Sequence, residues 1–403
     1  LYDRLYNVIK EFSQIDLHPN TVSNSEMGYI FEELIRKFSE NAEAGDHYTP
    51  REVIKLMVNI LLNEDSQDLS QDGNIVTVYD GTTGTGGMLA VASEYIKSLN
   101  SDTKIEVFGQ EINDESYAIC KADMLIKGQD SKNIVLGNTL TNDGLKGIKV
   151  KYALMNPPFG VTWNDDFTKI NEEHTTLGFS GRFGAGLPGK SDGALLFTQH
   201  MISKLEDDGR GAIIHNGSPL FSGKAESGES NIRKWLLEED LLEAIIALPT
   251  QMFYNTGIAT YIFIIAKEKE AKRKGKVQLI DATSFGKRLR KGLGDKRKEI
   301  TPEDIVTLTK IYDAFKENDV CKILDNEDFL YRQITIDRPF ARNFAINELR
   351  IENMTSQSAF SKLYDEDTYN ELVEKNKKSS KDKKAIEEFE KGKVLQDTIL
   401  NIL

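Results

Sequence analysis

Two short segments of this 403-residue chain carry residue types whose spacing can do chemistry. The first, Asp80-Gly81-Thr82-Thr83-Gly84-Thr85-Gly86-Gly87, follows the β-branched run 74–79 and opens a helical pattern. Small residues let a backbone approach a ligand closely. A strand that ends in such a turn, with an acid at the end of the next strand, suits a nucleoside whose ribose hydroxyls the acid accepts from. Glu111 stands where that acid belongs, 24 residues beyond Gly87. The spacing is not G-x-G-x-x-G, because Leu89 takes the third glycine's place; the threonines and leading Asp80 suit a cofactor without a pyrophosphate. The competing reading is a tight strand-to-helix turn. The second segment, Asn156-Pro157-Pro158-Phe159, directly follows the apolar run 152–155. Its prolines fix φ and remove two donors while leaving carbonyls to accept. The Asn156 amide oxygen and Pro157 carbonyl can grip both hydrogens of a planar exocyclic amine, and Phe159 can stack on its ring. Methyl transfer to such an amine needs this, since two acceptors localise the ring-delocalised lone pair on nitrogen and no strong base is required. The competing reading is a rigid turn.

The surrounding pattern supplies elements to position both segments. Strand-like runs at 74–79, 104–108, 134–136, 152–155, 211–214, 241–248 and 260–266 alternate with helical stretches at 51–62, 88–99, 193–205 and 229–237. That alternation predicts a doubly wound parallel α/β sheet, with its site at the carboxyl ends of the strands. Thr49 is a candidate N-cap with Pro50 at the first helical position. Residues 1–44 read as the end of an N-terminal helical domain: Leu5, Val8, Ile9 and Phe12 share one spacing, and Ile30, Phe31, Leu34, Ile35 and Phe38 another. The expected domains are therefore 1–44, a catalytic domain at 45–300, and a helical region at 301–403 that Thr301-Pro302-Glu303-Asp304 opens by cap and charge logic.

Composition excludes several classes. Charged residues are 29% and hydrophobic residues 39%, so the chain can build a core and is not disordered throughout. No apolar run approaches the roughly 20 residues of a membrane span. Two cysteines, Cys120 and Cys321, rule out a disulfide scaffold and a four-cysteine zinc site, and the five histidines show no metal-ligand spacing. No secretory signal opens the chain, which makes the cytoplasm the default expectation; an initial leucine suggests that N-terminal sequence is missing. The net charge of −13 argues against wrapping nucleic acid unaided. One window reverses it: 267–298 holds 13 Lys/Arg against four acids, a local basic face or simply a solvated hairpin.

Read together, the two segments resemble the cofactor turn and catalytic tetrapeptide of amino-methyltransferases acting on adenine N6 in DNA. Gly45-Asp46-His47-Tyr48-Thr49-Pro50-Arg51, the segments 241–253, 256–258 and 277–282, and their order narrow the resemblance to the modification (M) subunit of type I restriction–modification systems, over about residues 25–320. The resemblance implies a Rossmann-like S-adenosylmethionine-dependent methyltransferase sheet with helical flanks. It also implies site roles. Asp46, His47, Tyr48, Thr49, Pro50 and Arg51, with Thr85, Gly86 and Gly87, would hold the methionine part of S-adenosylmethionine; Glu111 would bind its ribose; Asn138, Thr139 and Leu140 would line its adenine; and Asp80, Gly81, Thr82, Gly84 and Ile112 would also contact the cofactor. Asn156, Pro157, Pro158 and Phe159 would hold the target base, flipped from the duplex, with Phe253 or Tyr254 on its other side. Double-stranded DNA, a specificity (S) subunit that reads sequence, a second M subunit and a restriction (R) subunit are the implied partners, part of the contact falling near Lys375–Lys384. The chain departs in two places: Asn138 stands where the family usually has Asp, which predicts weakened adenine recognition through the amide oxygen, and Gly81 replaces a frequent proline.

Alternatives stay open from the residues alone. The same turn serves cytosine N4, RNA or a glutamine side chain, and a catalytically silent scaffold would keep the fold. Gly184-Ala-Gly-Leu-Pro-Gly-Lys-Ser191 fits the P-loop pattern, but 176–183 is broken by Gly and Ser rather than strand-like, and Pro188 removes a donor from a phosphate cradle. A flexible loop behind the catalytic turn, able to close over DNA or cofactor, is the expected role there. Asp165, Asp166, Glu172 and Glu173 read as solvated loop carboxylates.

Overall fold

The computed structural model describes residues 2–18, 20–22, 27, 30, 49–63, 75–254, 256–331, 334, 336–337 and 345–402. Two compact units divide the chain, 1–333 and 334–403. The first is built on a nine-stranded sheet of order β11-β8-β6-β7-β5-β4-β1-β2-β3. Its strands are β1 (Ile75–Asp80), β2 (Lys104–Glu111), β3 (Ile134–Leu136), β4 (Val150–Met155), β5 (Leu205–Asn216), β6 (Leu242–Ala247), β7 (Thr260–Ala266), β8 (Lys276–Asp281) and, beyond a hairpin, β11 (Cys321–Asp325). The hairpin itself pairs β9 (Lys287–Leu293) with β10 (Lys296–Glu299) apart from the main sheet.

From β1 the chain runs outward to β2 and β3, then returns to place β4 on the other flank of β1. That reversal leaves a crevice at the carboxyl ends of β1 and β4. Side chains alternate across the strands. Val76, Val78, Tyr152 and Leu154 belong to one core with α2 (Arg51–Asn63) and α3 (Gly87–Leu99), whereas Tyr79, Ala153 and Met155 belong to the opposite core with α6 (Ala194–Lys204) and α7 (Gly228–Glu238). Both faces are covered, which accounts for the nearly continuous apolar runs. Helix α4 (Asp114–Ile126) packs on β2 and β3, whereas α5 (Phe167–Leu177) buries Ile170 in a separate small cluster with Leu140, Trp163, Phe183 and Leu196.

The sheet is mixed rather than wholly parallel. β7 enters antiparallel between β5 and β6. Among the described residues no helix lies between β6 and β7, and a parallel return needs a crossover of a dozen or more residues, usually helical. The first unit also runs past 300. Helix α8 (Pro302–Ala314), with the expected Thr301–Asp304 capping box, packs on α2, and β11 joins β8. A buried cluster fastens it there: Arg210 on β5 lies 2.7 Å from Glu243 on β6 and donates to the Tyr312 hydroxyl at 2.5 Å. The Arg273 guanidinium sits 4.1 Å from the Tyr312 ring centre.

Helix α1 (Tyr2–Phe12) exposes Leu5, Val8, Ile9 and Phe12. Phe31, Leu34, Ile35 and Phe38 lie outside the described residues. The second unit is helical, with α9 (Glu348–Thr355), α10 (Glu366–Glu374) and α11 (Ser380–Ile402).

Candidate functional site

A cavity of about 630 Å³ opens at the carboxyl ends of β1, β2 and β4, a size suited to a nucleoside-bearing ligand. The 81–87 turn forms its floor. Thr83 shapes it, donating through its hydroxyl to the Asp80 carbonyl at 2.7 Å and through its amide to the Gln110 carbonyl at 3.1 Å. Gly86 caps α3 with φ of 89°, and a Cβ there would sit 2.8 Å from the Cys120 sulfur. Only glycine meets both demands. A Cβ on Gly81 would lie 2.7 Å from the Tyr79 hydroxyl, so a proline has no room where the family often carries one.

Two carboxylates face the floor. Asp80 is 1% exposed and accepts from the Thr82 amide at 2.9 Å; burial pushes its pKa up to about 7, against the hydrogen bonds from Thr82, with Glu111 adding to the rise. Glu111 accepts from the Gly84 amide at 2.7 Å and the Asn113 amide at 2.8 Å, which fixes its carboxylate across the turn.

The third wall differs from expectation. The Asn138 amide oxygen does not face a ligand: it accepts from the backbone amides of Leu140 and Thr141 at 2.9 and 3.3 Å. Its NH₂ lies 3.1 Å from both oxygens of Asp166, which lines the cavity. A carboxylate therefore stands beside Asn138 after all, delivered from the turn before α5. Asp166 was expected to be a solvated loop residue; the buried Trp163, held by the Gly189 carbonyl at 3.0 Å, anchors that turn at the cavity rim.

Behind this wall lies Arg182. Its guanidinium donates to the carbonyls of Thr139 and Leu140, each at 2.8 Å, and grips Glu173 at 2.5 Å. Burial opposes the Glu173 charge, but Arg182 holds that carboxyl below its usual range. Glu173 is thus a structural partner, not a solvated acid. Arg182 also meets His200 Nδ1 at 3.1 Å. Since arginine only donates, Nδ1 accepts, and the neutral ring's Nε2–H faces the Tyr79 hydroxyl at 2.7 Å. Burial, then the nearby Arg182 charge, holds the His200 pKa well below its ordinary value.

The Asn156 turn closes the fourth side. Asn156 is buried, and its NH₂ donates to the Thr49 hydroxyl at 2.8 Å. The bond of the Thr49 hydroxyl thus goes to Asn156 rather than to the start of α2, where the Val53 and Ile54 amides donate to the Pro50 carbonyl. Phe159 meets the buried Phe253 edge-on, ring centres 6.0 Å apart. The neighbouring Tyr254 ring carries the Lys296 ammonium 4.9 Å from its centre.

Of the residues singled out from sequence, Thr49, Asp80, Gly81, Thr82, Gly84, Thr85, Gly87, Glu111, Ile112, Asn138, Thr139, Leu140, Asn156 and Pro158 line the cavity. Pro50, Gly86, Pro157, Phe159, Phe253 and Tyr254 stand outside that lining; so does Arg51, whose guanidinium pairs with Glu94 at 3.0 Å. Asp46, His47 and Tyr48 fall outside the described residues. Sequence reading missed Asp166, Trp163 and Phe197, which also line the cavity. Among the described residues no group of three or more His, Cys, Asp or Glu is placed to hold a metal.

The P-loop pattern at 184–191 does not form a phosphate cradle. No strand precedes it, and the Gly189 amide points at the Glu229 carboxylate, 2.7 Å away, where an anion would be repelled. Nor is the loop loose: the Lys190 carbonyl accepts from the Trp163 amide at 3.0 Å, and Lys190 lies 3.5 Å from the Phe167 ring centre.

The sheet order, the antiparallel β7 and the Asp80–Gly87 and Asn156–Phe159 turns together define a Rossmann-like domain of the methyltransferase type. The chain belongs to the N-6 DNA methylase family, whose sequence pattern matches residues 22–353. It is 30% identical over 284 residues to the type I restriction enzyme MjaVII methylase subunit of Methanocaldococcus jannaschii, covering 70% of this chain and 45% of that protein. It is 26% identical over 299 residues to the HindI methylase subunit of Haemophilus influenzae, covering 73% of this chain and 61% of that protein. The crystal structure of a type I restriction–modification methyltransferase subunit from Streptococcus thermophilus superposes with a TM-score of 0.67 at 28% identity, over 80% of this chain and 64% of that one. The chain thus spans roughly half to two-thirds of these proteins' lengths. No described helix is long and apolar enough to cross a membrane.

Proposed function

We propose that this protein methylates adenine N6 in double-stranded DNA, with S-adenosylmethionine as methyl donor, as the modification subunit of a type I restriction–modification complex. The observation that carries this reading is that Asn156 and Pro158 of the acceptor turn line a nucleoside-sized cavity that Asp80 and Glu111 also line. The specificity subunit, a second M subunit and a restriction subunit are the partners the reading calls for, and the cytoplasm, where such a complex meets DNA, its place.

The cavity's chemistry fits the donor. Asp80 is a buried acid suited to a cationic amino group, Glu111 is aimed for ribose hydroxyls, and Asp166 offers the adenine amine a carboxylate acceptor in place of Asn138. S-adenosylmethionine supplies an electrophilic methyl group. The chain's own residues do the rest. Asn156, oriented by Thr49, and the Pro157 carbonyl accept from the target amine, and Phe159 with Phe253 supports the flipped ring. Localising the amine's lone pair makes it the nucleophile; the N–C bond would form as the sulfur–methyl bond breaks, with S-adenosylhomocysteine as the leaving group, and the amine's proton would go to solvent.

The test is methyl transfer from labelled S-adenosylmethionine to duplex DNA by the chain, alone and with its specificity subunit, followed by nucleoside analysis. Label in N6-methyladenine is expected; label confined to N4-methylcytosine, RNA or protein, or none at all, overturns the reading.

Two predictions concern the donor's site. Asp166→Ala removes one charge-assisted acceptor, worth about 1.5–3 kcal/mol, and should weaken S-adenosylmethionine binding by about tenfold or more in calorimetry; unchanged affinity would free Asp166 from this role. The Asp80 acid has its folded pKa raised from 3.8 to about 7. Between those values the unfolded chain loses a proton that the folded chain keeps, so cofactor-free stability falls as pH rises through that window. A bound ammonium reverses the preference and favours the carboxylate. Binding should therefore tighten from about pH 6 to about pH 8 and release protons at the lower pH. Titration in two buffers of different ionisation enthalpy measures both, and a flat profile would contradict the assignment.

A further inference from the structure

We propose that the β9–β10 hairpin grips the phosphate backbone of duplex DNA beside the base-accepting turn. The inference rests on the DNA reading above. Residues 287–298 hold seven Lys/Arg and one Asp on a chain whose net charge is −13. Three of those cations have partners within the chain: Lys296 is buried against Glu52, the exposed Lys287 pairs with Glu299 at 3.1 Å, and Arg297 donates to the carbonyls of Gly294 and Lys296. Among the described residues, Arg288, Arg290, Lys291 and Lys298 have no acidic partner within ion-pair distance. Arg288, Arg290 and Lys291 are exposed.

Register sharpens the point. Arg288 and Lys298 are directly opposed across the ladder, and Arg290 follows two residues on, in the bulge where the register of the two strands shifts. Like charges directly opposed destabilise a hairpin. A polyanion on that face removes the penalty, so the arrangement fits binding better than folding. The hairpin's turn and second strand are fixed close to the site. The Asp295 amide donates to the Tyr254 carbonyl at 2.6 Å, and the Arg297 and Lys298 amides to the Gln251 carbonyl at 2.9 and 3.2 Å. That 251–254 segment carries Phe253, which packs on Phe159. Phosphates held by the hairpin would set the duplex in register with the turn that receives its base. Such contacts position rather than read sequence.

The test uses the full chain and a fluorescent duplex of arbitrary sequence, titrated across a salt series. Substituting Arg288→Glu, Arg290→Glu and Lys298→Glu together should lower affinity about 30-fold or more and flatten the slope of log K against log salt by about 2.7, at about 0.9 per phosphate contact. The charge-preserving set Arg288→Lys, Arg290→Lys and Lys298→Arg should bind as the parent does. Retained affinity and slope in the glutamate variant overturn the proposal. So does a parent chain that binds no duplex, a loss seen with single-stranded RNA but not with duplex, or a charge-preserving set that binds as poorly as the glutamate one. S-adenosylmethionine titrated into the same proteins separates the two readings: affinity equal in parent and variant shows the cavity intact, whereas a parent that binds none counts against the proposed function and leaves the hairpin result to stand on the duplex data.

Discussion

Asn156→Ala is expected to lower methyl transfer by at least about a thousandfold, as loss of a single preorganised polar group at a reacting centre does, while S-adenosylmethionine affinity stays within a few-fold of the parent. The asymmetry follows from placement. Asn156 lines the cavity with its NH₂ on the Thr49 hydroxyl, whereas the proposed donor contacts fall to other lining residues, Asp80, Glu111 and Asp166. Alanine removes the amide acceptor and leaves the Pro157 carbonyl alone to hold an amine with two hydrogens. Single-turnover transfer and calorimetry on the same preparation measure the split. Near-parental transfer would defeat the acceptor mechanism, and equal loss of transfer and donor binding would make Asn156 a general support of the cavity. Thr49→Val offers a graded companion, because it keeps Asn156 and removes only its orienting hydroxyl.

Arg182→Ala carries the other large effect, on stability and donor binding together. One side chain there satisfies the Thr139 and Leu140 carbonyls, the Glu173 carboxylate and His200. Its removal strands a half-buried carboxylate and loosens the wall that presents Asn138 and Asp166. About 3 kcal/mol of unfolding free energy should go, and donor affinity should fall about tenfold or more. Lysine should restore only part of this, since one ammonium cannot reproduce a planar fork. Urea unfolding paired with calorimetry decides the matter; a variant with parental midpoint and affinity would show that the network is dispensable.

What could be read from residues and what could not divides along physical lines. The strands from 74 to 266 were visible because buried parallel strands are continuous apolar runs, and both turns were visible because their backbones demand Gly and Pro. Strand direction was not, since β7 looks the same whichever way it pairs; the missing helix before it was the available signal. Asp166 was hidden because a carboxylate in a polar loop resembles a solvated one. The clue lay elsewhere, at Asn138, where a charge absent from its usual position had to come from another segment. The division at 333 rather than 300 depended on Arg210, Glu243 and Tyr312 meeting across strands far apart in the chain, which no local pattern foretells. Thr49 before Pro50 reads as a helix cap from its neighbours alone, whereas its hydroxyl meets Asn156 from 107 residues further along the chain.

The antiparallel insertion of β7 has a consequence for synthesis. The parallel half, β1 to β5, is complete on the growing chain by Asn216, yet β5 acquires its second neighbour only when residues 260–266 emerge. Until then a twelve-residue strand, buried from Gly209 to His215 in the finished protein, presents an unpaired edge. An open apolar edge is a template for pairing with other chains. A nascent or prematurely terminated product that ends between these strands is therefore a seed for aggregation, even though it already holds both turns at the cavity.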